Sequence, residues 1–208
     1  RDFGVRGRLG RELGSWGVIA VEGGFVNRKI SNTIDDAENF KDTSFDIGVA
    51  GVYLGVDTLN RNDWPTSGQK LRATATRIFN IDDETRPEID QFEAAWLGAF
   101  DIKGVSTLFN VRHGTSPDRL GFGSGSFALG GFRQLGSFAN NSILVDEFTY
   151  GSVEIFERIT AQGKLLDFPV YVGAIGEIAT FPVFFFEGEE DTGLISGTVY
   201  LGVDTPLG

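Results

Sequence analysis

Apolar and polar residues alternate with a period of two along most of this chain, in segments much longer than an ordinary strand. Ile195, Val199, Leu201 and Val203 fall on one face, against Ser196, Thr198, Gly202 and Asp204. Leu71, Ala73, Ala75 and Phe79 oppose Lys70, Arg72, Thr74 and Thr76. Phe92, Ala94, Trp96, Phe100 and Ile102 oppose Glu93, Asp101 and Lys103, with Leu97 joining the polar side. Val105, Phe109 and Val111 oppose Ser106, Asn110 and Arg112. Successive side chains of a strand point to opposite faces, so the pattern predicts strands with one apolar and one polar face. Further strands are expected near 2–12, 16–29, 44–58, 147–158 and 168–180. No stretch carries a stable amphipathic helical face. The nine strands run to roughly 11–15 residues, against ~5–6 in an average soluble domain. Such lengths suit a barrel wall better than a sandwich.

The connections support a wall of up-and-down strands. Short links near Leu13–Ser15 and Lys103–Gly104 contrast with long ones at 31–43, 116–146 and 181–192, which fall on one side. The links at 59–65 and 82–89 are similar to each other in length, so the contrast is incomplete. The chain holds 29 Gly and 19 Phe in 208 residues, a composition of tight turns and aromatic surface. No run approaches the ~18 apolar residues of a membrane helix; Phe181–Phe186 is short and contains Pro182. A β-barrel crosses a membrane with alternating segments of ~10 residues and is not excluded by this. Nine strands is an odd number, and an open sheet leaves two long unpaired edges. The expectation is therefore an all-β, antiparallel transmembrane barrel present as an incomplete fragment. Arg1 is not a translation start, and Asp204-Thr205-Pro206-Leu207-Gly208 is turn chemistry that would break off in mid-hairpin. One partial barrel domain over 1–208 is expected, with its long loop at 116–146 and its N-terminal and final portions missing.

Charge and composition narrow the chemistry. Asp and Glu outnumber Lys and Arg by 29 to 18, a formal charge of −11, which argues against a nucleic-acid partner. The absence of Cys removes disulfide frameworks and thiolate nucleophiles, and one His leaves no His-rich metal site. No metal or cofactor is implied. A lipase nucleophile needs Gly-x-Ser-x-Gly on a strand–elbow–helix. Phe122-Gly123-Ser124-Gly125-Ser126 lacks both outer glycines and that context, so it reads as a loop. His113 follows Arg112 at a strand end and reads as a rim or lumen residue. No catalytic residue is assigned. Trp16, Trp64, Trp96, Tyr53, Tyr150 and Phe100 are candidates for aromatic belts and lipid-facing wall; in a soluble protein they would be core.

Three segments carry a family resemblance. Asp57-Thr58-Leu59-Asn60-Arg61-Asn62-Asp63-Trp64-Pro65-Thr66-Ser67-Gly68 is similar to the Asp…Pro-Thr-x-Gly turn of the bacterial surface antigen family. That family includes the outer-membrane assembly barrel and the two-partner secretion transporters. Phe127-Ala128-Leu129-Gly130-Gly131-Phe132-Arg133-Gln134-Leu135-Gly136-Ser137-Phe138 resembles the tip of the family's long inward-folded loop, where Gly-Gly precedes Val-Arg-Gly-Phe. Leu201-Gly202-Val203-Asp204-Thr205-Pro206-Leu207-Gly208 is similar to its penultimate turn. The wording is closest to the branch in which a patatin-like phospholipase is fused to its own barrel. The resemblance covers most of residues 44–208. It implies a barrel of about sixteen strands, of which this chain would supply roughly the sixth to the fourteenth.

The resemblance also implies site residues. Asp57, Pro65, Gly68, Asp204, Pro206 and Gly208 would build turns, and Gly130 and Gly131 the loop tip. The family's loop arginine falls on Gly136 here. Arg133, three residues earlier, would take over its contact with an acidic wall residue, Glu154 or Glu177. The alternative is that Arg133 is a solvated loop residue and the glutamates line a wet lumen, in which case Phe132 and Phe138 would hold the loop by packing, or the loop would be mobile. The function implied is a barrel of the bacterial outer membrane that anchors and exports a passenger polypeptide, with outer-membrane lipid and the barrel assembly machinery as further partners. An assembly or two-partner transporter barrel is the alternative within the family. A soluble all-β binding or hydrolytic domain is the alternative of a different class.

Overall fold

The period-two pattern is realised as nine long strands in one antiparallel sheet. The structure is a computed structural model and describes residues 2–30, 43–81, 88–117, 127–159, 168–185 and 188–204. The strands are β1 (Asp2–Glu12), β2 (Gly17–Ile30), β3 (Thr43–Asp57), β4 (Gly68–Asn80), β5 (Ile89–Ile102) and β6 (Val105–Thr115). A two-stranded hairpin, β7 (Phe127–Leu129) and β8 (Ile143–Val145), interrupts them before β9 (Glu147–Arg158), β10 (Val170–Phe185) and β11 (Gly188–Val203). The large sheet runs β1-β2-β3-β4-β5-β6-β9-β10-β11, so each strand neighbours the next long strand in the chain. Such nearest-neighbour connection is what short links and long strands favour.

Register sets the two faces. Trp96 pairs with Leu71 and Val111, and Glu93 pairs with Thr74, so apolar positions line up with apolar ones across strands. Val5, Leu9, Ile19, Val21, Val52, Phe92, Phe100, Phe109, Val111, Val153, Ile155, Ile178, Ile195, Val199 and Leu201 all stand exposed on the outer face. Ile195 and Val199 keep 80% and 81% of their surface open, on a strand whose opposite face buries Ser196. This is the inverse of a water-soluble strand, which hides its apolar side. On the inner face Arg72 and Arg112 both donate to Glu93 Oε1, at 3.0 and 2.9 Å, and Arg8 meets Glu22 at 2.9 Å.

The sheet curls around this polar face. Trp64, in the link between β3 and β4, stacks on Tyr171 of β10 with ring centroids 4.2 Å apart. In a flat sheet β4 and β10 would lie four strand spacings apart, about 19 Å.

Several expectations need correction. The link expected at 181–192 is not a long loop, because β10 and β11 stay paired out to Phe185 and Gly188. Pro182 is tolerated there because β9 stops pairing with β10 at Thr180, and beyond it, among the described residues, β10 has a partner on one side only. The β7–β8 hairpin was not expected. Of the belt candidates, Trp96, Phe100 and Trp16 are outward or exposed. Trp64, Tyr53 and Tyr150 are on the inner side, and Tyr150 is fully buried. His113 is not in the lumen: it pairs with outward Ala94 and shares a 3.0 Å hydrogen bond with Thr149. The Gly121–Ser126 run lies outside the described residues.

Candidate functional site

The site is the inner face of β9, β10 and β11 together with the loop that leans on it. The loop leaves β6 and rejoins at β9, and its base is closed by Ser116 N–H donating to the Asp146 carbonyl at 2.8 Å. Residues 130–142 turn back sharply through hydrogen bonds such as Gly130 N–H to Gln134 O, 2.8 Å, and Phe138 N–H to Leu135 O, 3.0 Å. Gly130 and Gly131 take φ of 110° and 108°, where an L side chain is strained. A Cβ on either would also strike residues 139 or 140 of the returning limb. Leu129, Leu135 and Val145 bury themselves against Phe148, Tyr150, Ala179 and Phe181 of the wall, and Phe138 packs on the same group. Burying one such leucine is worth ~1.5–3 kcal/mol, so this packing is a large part of what holds the loop inside.

Three polar anchors pin the tip, one on each strand. On β9, Glu154 accepts from Arg133 Nε at 2.8 Å and Nη2 at 2.6 Å, a two-point fork. The Tyr200 hydroxyl also donates to Glu154 Oε1. Burial alone would loosen the proton on the Arg133 guanidinium; the Glu154 carboxylate outweighs that and holds it more firmly than usual. On β10, Glu177 accepts from Leu135 N–H at 2.8 Å, Gly136 N–H at 2.7 Å and the Tyr150 hydroxyl at 2.7 Å. Leu135 has φ of 72°, which aims two successive backbone N–H groups at one carboxylate, a backbone nest. On β11, Ser196 Oγ accepts from Ser137 N–H at 3.0 Å and lies 3.0 Å from Ser137 Oγ.

Arg133 and Glu154 are thus brought together. Glu177 meets the loop backbone and the Tyr150 hydroxyl, and no arginine among the described residues. Gly136, at the position where the family has its arginine, lies flat against β11, and a Cβ there would collide with Thr198 Oγ1. Phe132 stands edge-on to the Tyr200 ring, centroids 5.3 Å apart. Gly136→Ala is expected to destabilise the folded protein by about 1–3 kcal/mol through overpacking, with Thr198→Ala restoring most of it. Denaturant midpoints of the two variants check this, and a neutral Gly136→Ala would refute the close approach.

The β3–β4 link forms a second feature at the opposite end of the inner face. Asp57 Oδ1 accepts from Leu59 N–H at 3.1 Å, and its other oxygen meets Lys70 at 2.9 Å. Asn60 ties Thr66 and Ser67 across the turn, Pro65 is fully buried, and Gly68 takes φ of 100° against the Thr58 carbonyl. Asp204 donates its N–H to the Pro169 carbonyl at 2.9 Å. Pro206 and Gly208 lie outside the described residues.

Tyr150, Tyr200, Ser137, Ser196 and Trp64 were missed as partners of this site. Period two could have found the tyrosines, since Tyr150 shares a face with Glu154 and Tyr200 with Ser196. Backbone donors leave no mark in a sequence.

No family model matches the chain, and no curated protein does. Among solved structures, BamA from Haemophilus ducreyi, in a form lacking POTRA domains 1–3, matches with a TM-score of 0.65 at 12% identity. The match covers 95% of this chain and 54% of that one, so the chain spans about half the length of its structural relative. The likeness is one of fold: this all-β, antiparallel sheet of nine long strands has the architecture of about half of that BamA chain.

Proposed function

We propose that this chain is part of an outer-membrane β-barrel that anchors a passenger fused on its N-terminal side and carries it across the membrane. The observation that carries this reading is the apolar outer face set against a polar inner one. On β5 the outward positions run from Phe92 to Ile102. Ten residue steps at ~3.4 Å, tilted by ~40°, give about 26 Å of height, close to the ~25 Å apolar band of such barrels. Above it, outward Arg77 bonds Asp90 through both oxygens at 2.7 Å, as expected where a wall meets polar surroundings. The continuous ladder satisfies backbone groups that lipid cannot. Further strands outside this segment would close the wall. The partners are outer-membrane lipid, the passenger polypeptide and the barrel assembly machinery. The loop at 116–146 would serve as plug or gate, held by Arg133, Glu154, Glu177, Phe132 and Phe138. The segment itself performs no covalent chemistry. A patatin-like phospholipase is the passenger that the turn and loop wording favours.

Protease added to intact cells should degrade the passenger of the full-length protein. A passenger that remains protected until the outer membrane is opened would refute export. The fold shared with BamA favours a second reading, a barrel that assembles or secretes other polypeptides. Sequence upstream separates the two: a Gly-x-Ser-x-Gly elbow supports the first, polypeptide-transport repeats the second.

A further inference from the structure

We infer that Trp64 is a positioning residue for the inward-folded loop and acts on it across the lumen through Tyr200. The turn that carries Trp64 belongs to β3 and β4, yet its indole rests on the far wall. It stacks on Tyr171 at 4.2 Å with an interplanar angle of 7°, meets Phe156 edge-on at 5.3 Å, and reaches Tyr200 at 6.2 Å. Two glycines make this seat. A Cβ on Gly202 of β11 would collide with the Trp64 ring, and one on Gly173 of β10 would collide with the Tyr200 phenol. Any side chain larger than hydrogen at these inward positions would displace the ring it now accommodates.

Tyr200 is where the two ends of the inner face meet. Trp64 lies on one side of its ring and Phe132 of the loop tip stands edge-on to it. Its hydroxyl donates to Glu154, the same carboxylate that holds Arg133. The Trp64 ring, tilted 31° to the phenol at 6.2 Å, bounds the position of Tyr200 on that side; the phenol fixes one oxygen of Glu154, and Glu154 fixes the arginine. Loss of Trp64 opens a space beside Tyr200 that the ring can tilt into, since no other aromatic ring is close on that side among the described residues. The tip then loses a packing partner at Phe132 and a well-oriented acceptor at Arg133 together. The turn is thereby coupled to the tip through Tyr200. The inference goes beyond the export reading and is tested without any export measurement.

The chain contains no cysteine, and Ser137 Oγ and Ser196 Oγ lie 3.0 Å apart. A Ser137→Cys, Ser196→Cys pair in the full-length protein therefore reports whether the tip is seated, through the rate at which added oxidised glutathione, itself reduced to the thiol, converts the two thiols to a disulfide. Linked peptides are quantified by mass spectrometry from the folded band of a heat-modifiability gel, so unfolded protein does not contribute. Trp64→Ala is expected to slow crosslinking at least fivefold, Trp64→Phe to restore most of the rate, and Glu154→Gln to slow it as a reference for a loosened tip. Gly202→Val, which fills the seat and displaces the ring of an unsubstituted Trp64, is expected to slow crosslinking similarly and serves if Trp64→Ala gives too little folded protein. A rate within twofold of the unmodified background in Trp64→Ala or Gly202→Val, with Glu154→Gln slowed, would overturn the inference.

Discussion

Arginine at Val153 is expected to destabilise the folded protein by about 2–4 kcal/mol, the cost of a charge at the middle of a lipid-facing barrel wall. Val153 is outward and 45% exposed. It pairs with Phe109 on one side and Gly176 on the other. Polar outward residues flank it four positions away in each direction, Thr149 and Glu157, so it sits near the centre of the apolar band. Thr76→Arg is the control. Thr76 points inward and pairs with Gly51 and Gln91, so an arginine there extends into a polar lumen and should change stability by no more than about 1 kcal/mol. Urea unfolding of protein folded into lipid vesicles measures both. The comparison also decides class. In a soluble domain Val153 would be an exposed surface residue, and its replacement by arginine would fall within about ±0.5 kcal/mol. A tolerated Val153→Arg would therefore sink the membrane reading.

That outward face is the part of the fold most legible in the sequence. Period two is a property of the backbone, and no tertiary contact is needed to read it. Leu97 shows this: its place on the polar side reads as an exception, and it is an inward residue packed, like Leu59 and Trp64, against the cluster of Ala99, Leu108, Phe156 and Tyr171. What the alternation could not give was any feature depending on curvature. By residue type Trp64 is a candidate for a membrane belt, because tryptophan favours interfaces. Its true position follows from a six-strand curl that brings the β3–β4 turn to β10 and β11. The boundary at Phe181 failed for a related reason. Pro182 reads as a strand breaker until it is known that the pairing of β9 with β10 has already stopped at Thr180 and no donor to β9 is required there. In the loop, the pair Arg133–Glu154 joins two charged side chains that a sequence displays. The contacts of Glu177 are with main-chain N–H groups, which every residue has, and only the φ of Leu135 selects these two.

Glu177→Leu is accordingly expected to be the most damaging single change in the loop site, at about 3–5 kcal/mol. The carboxylate is 4% exposed and accepts three hydrogen bonds, from Leu135 N–H, Gly136 N–H and the Tyr150 hydroxyl. Each buried donor left without a partner costs about 1–3 kcal/mol, and water entering from the lumen recovers part of the sum. Leu135 also holds φ of 72°, a conformation costing a non-glycine residue about 1–2 kcal/mol that persists only while its surroundings enforce it. Without the carboxylate this strain favours release of the tip. Hydrogen exchange at the Leu135 and Gly136 amides should then accelerate before the strands open. Glu154 should behave differently. Glu154→Leu strands Arg133, which keeps about a third of its side chain in water, so the loss should lie near the lower end of the ~3–5 kcal/mol of a broken buried pair. Arg133→Leu combined with Glu154→Leu should recover much of it, because no orphaned charge remains. No second side-chain change can do the same for Glu177, whose main partners are peptide groups. Equal losses in the two single variants, with Leu135 and Gly136 still protected in Glu177→Leu, would show that apolar packing of Leu129, Leu135 and Phe138 holds the loop without the nest. The opposite result would mean that the wall grips the loop through its peptide groups at Leu135 and Gly136, a mode of attachment requiring the bare backbone that Gly136 provides.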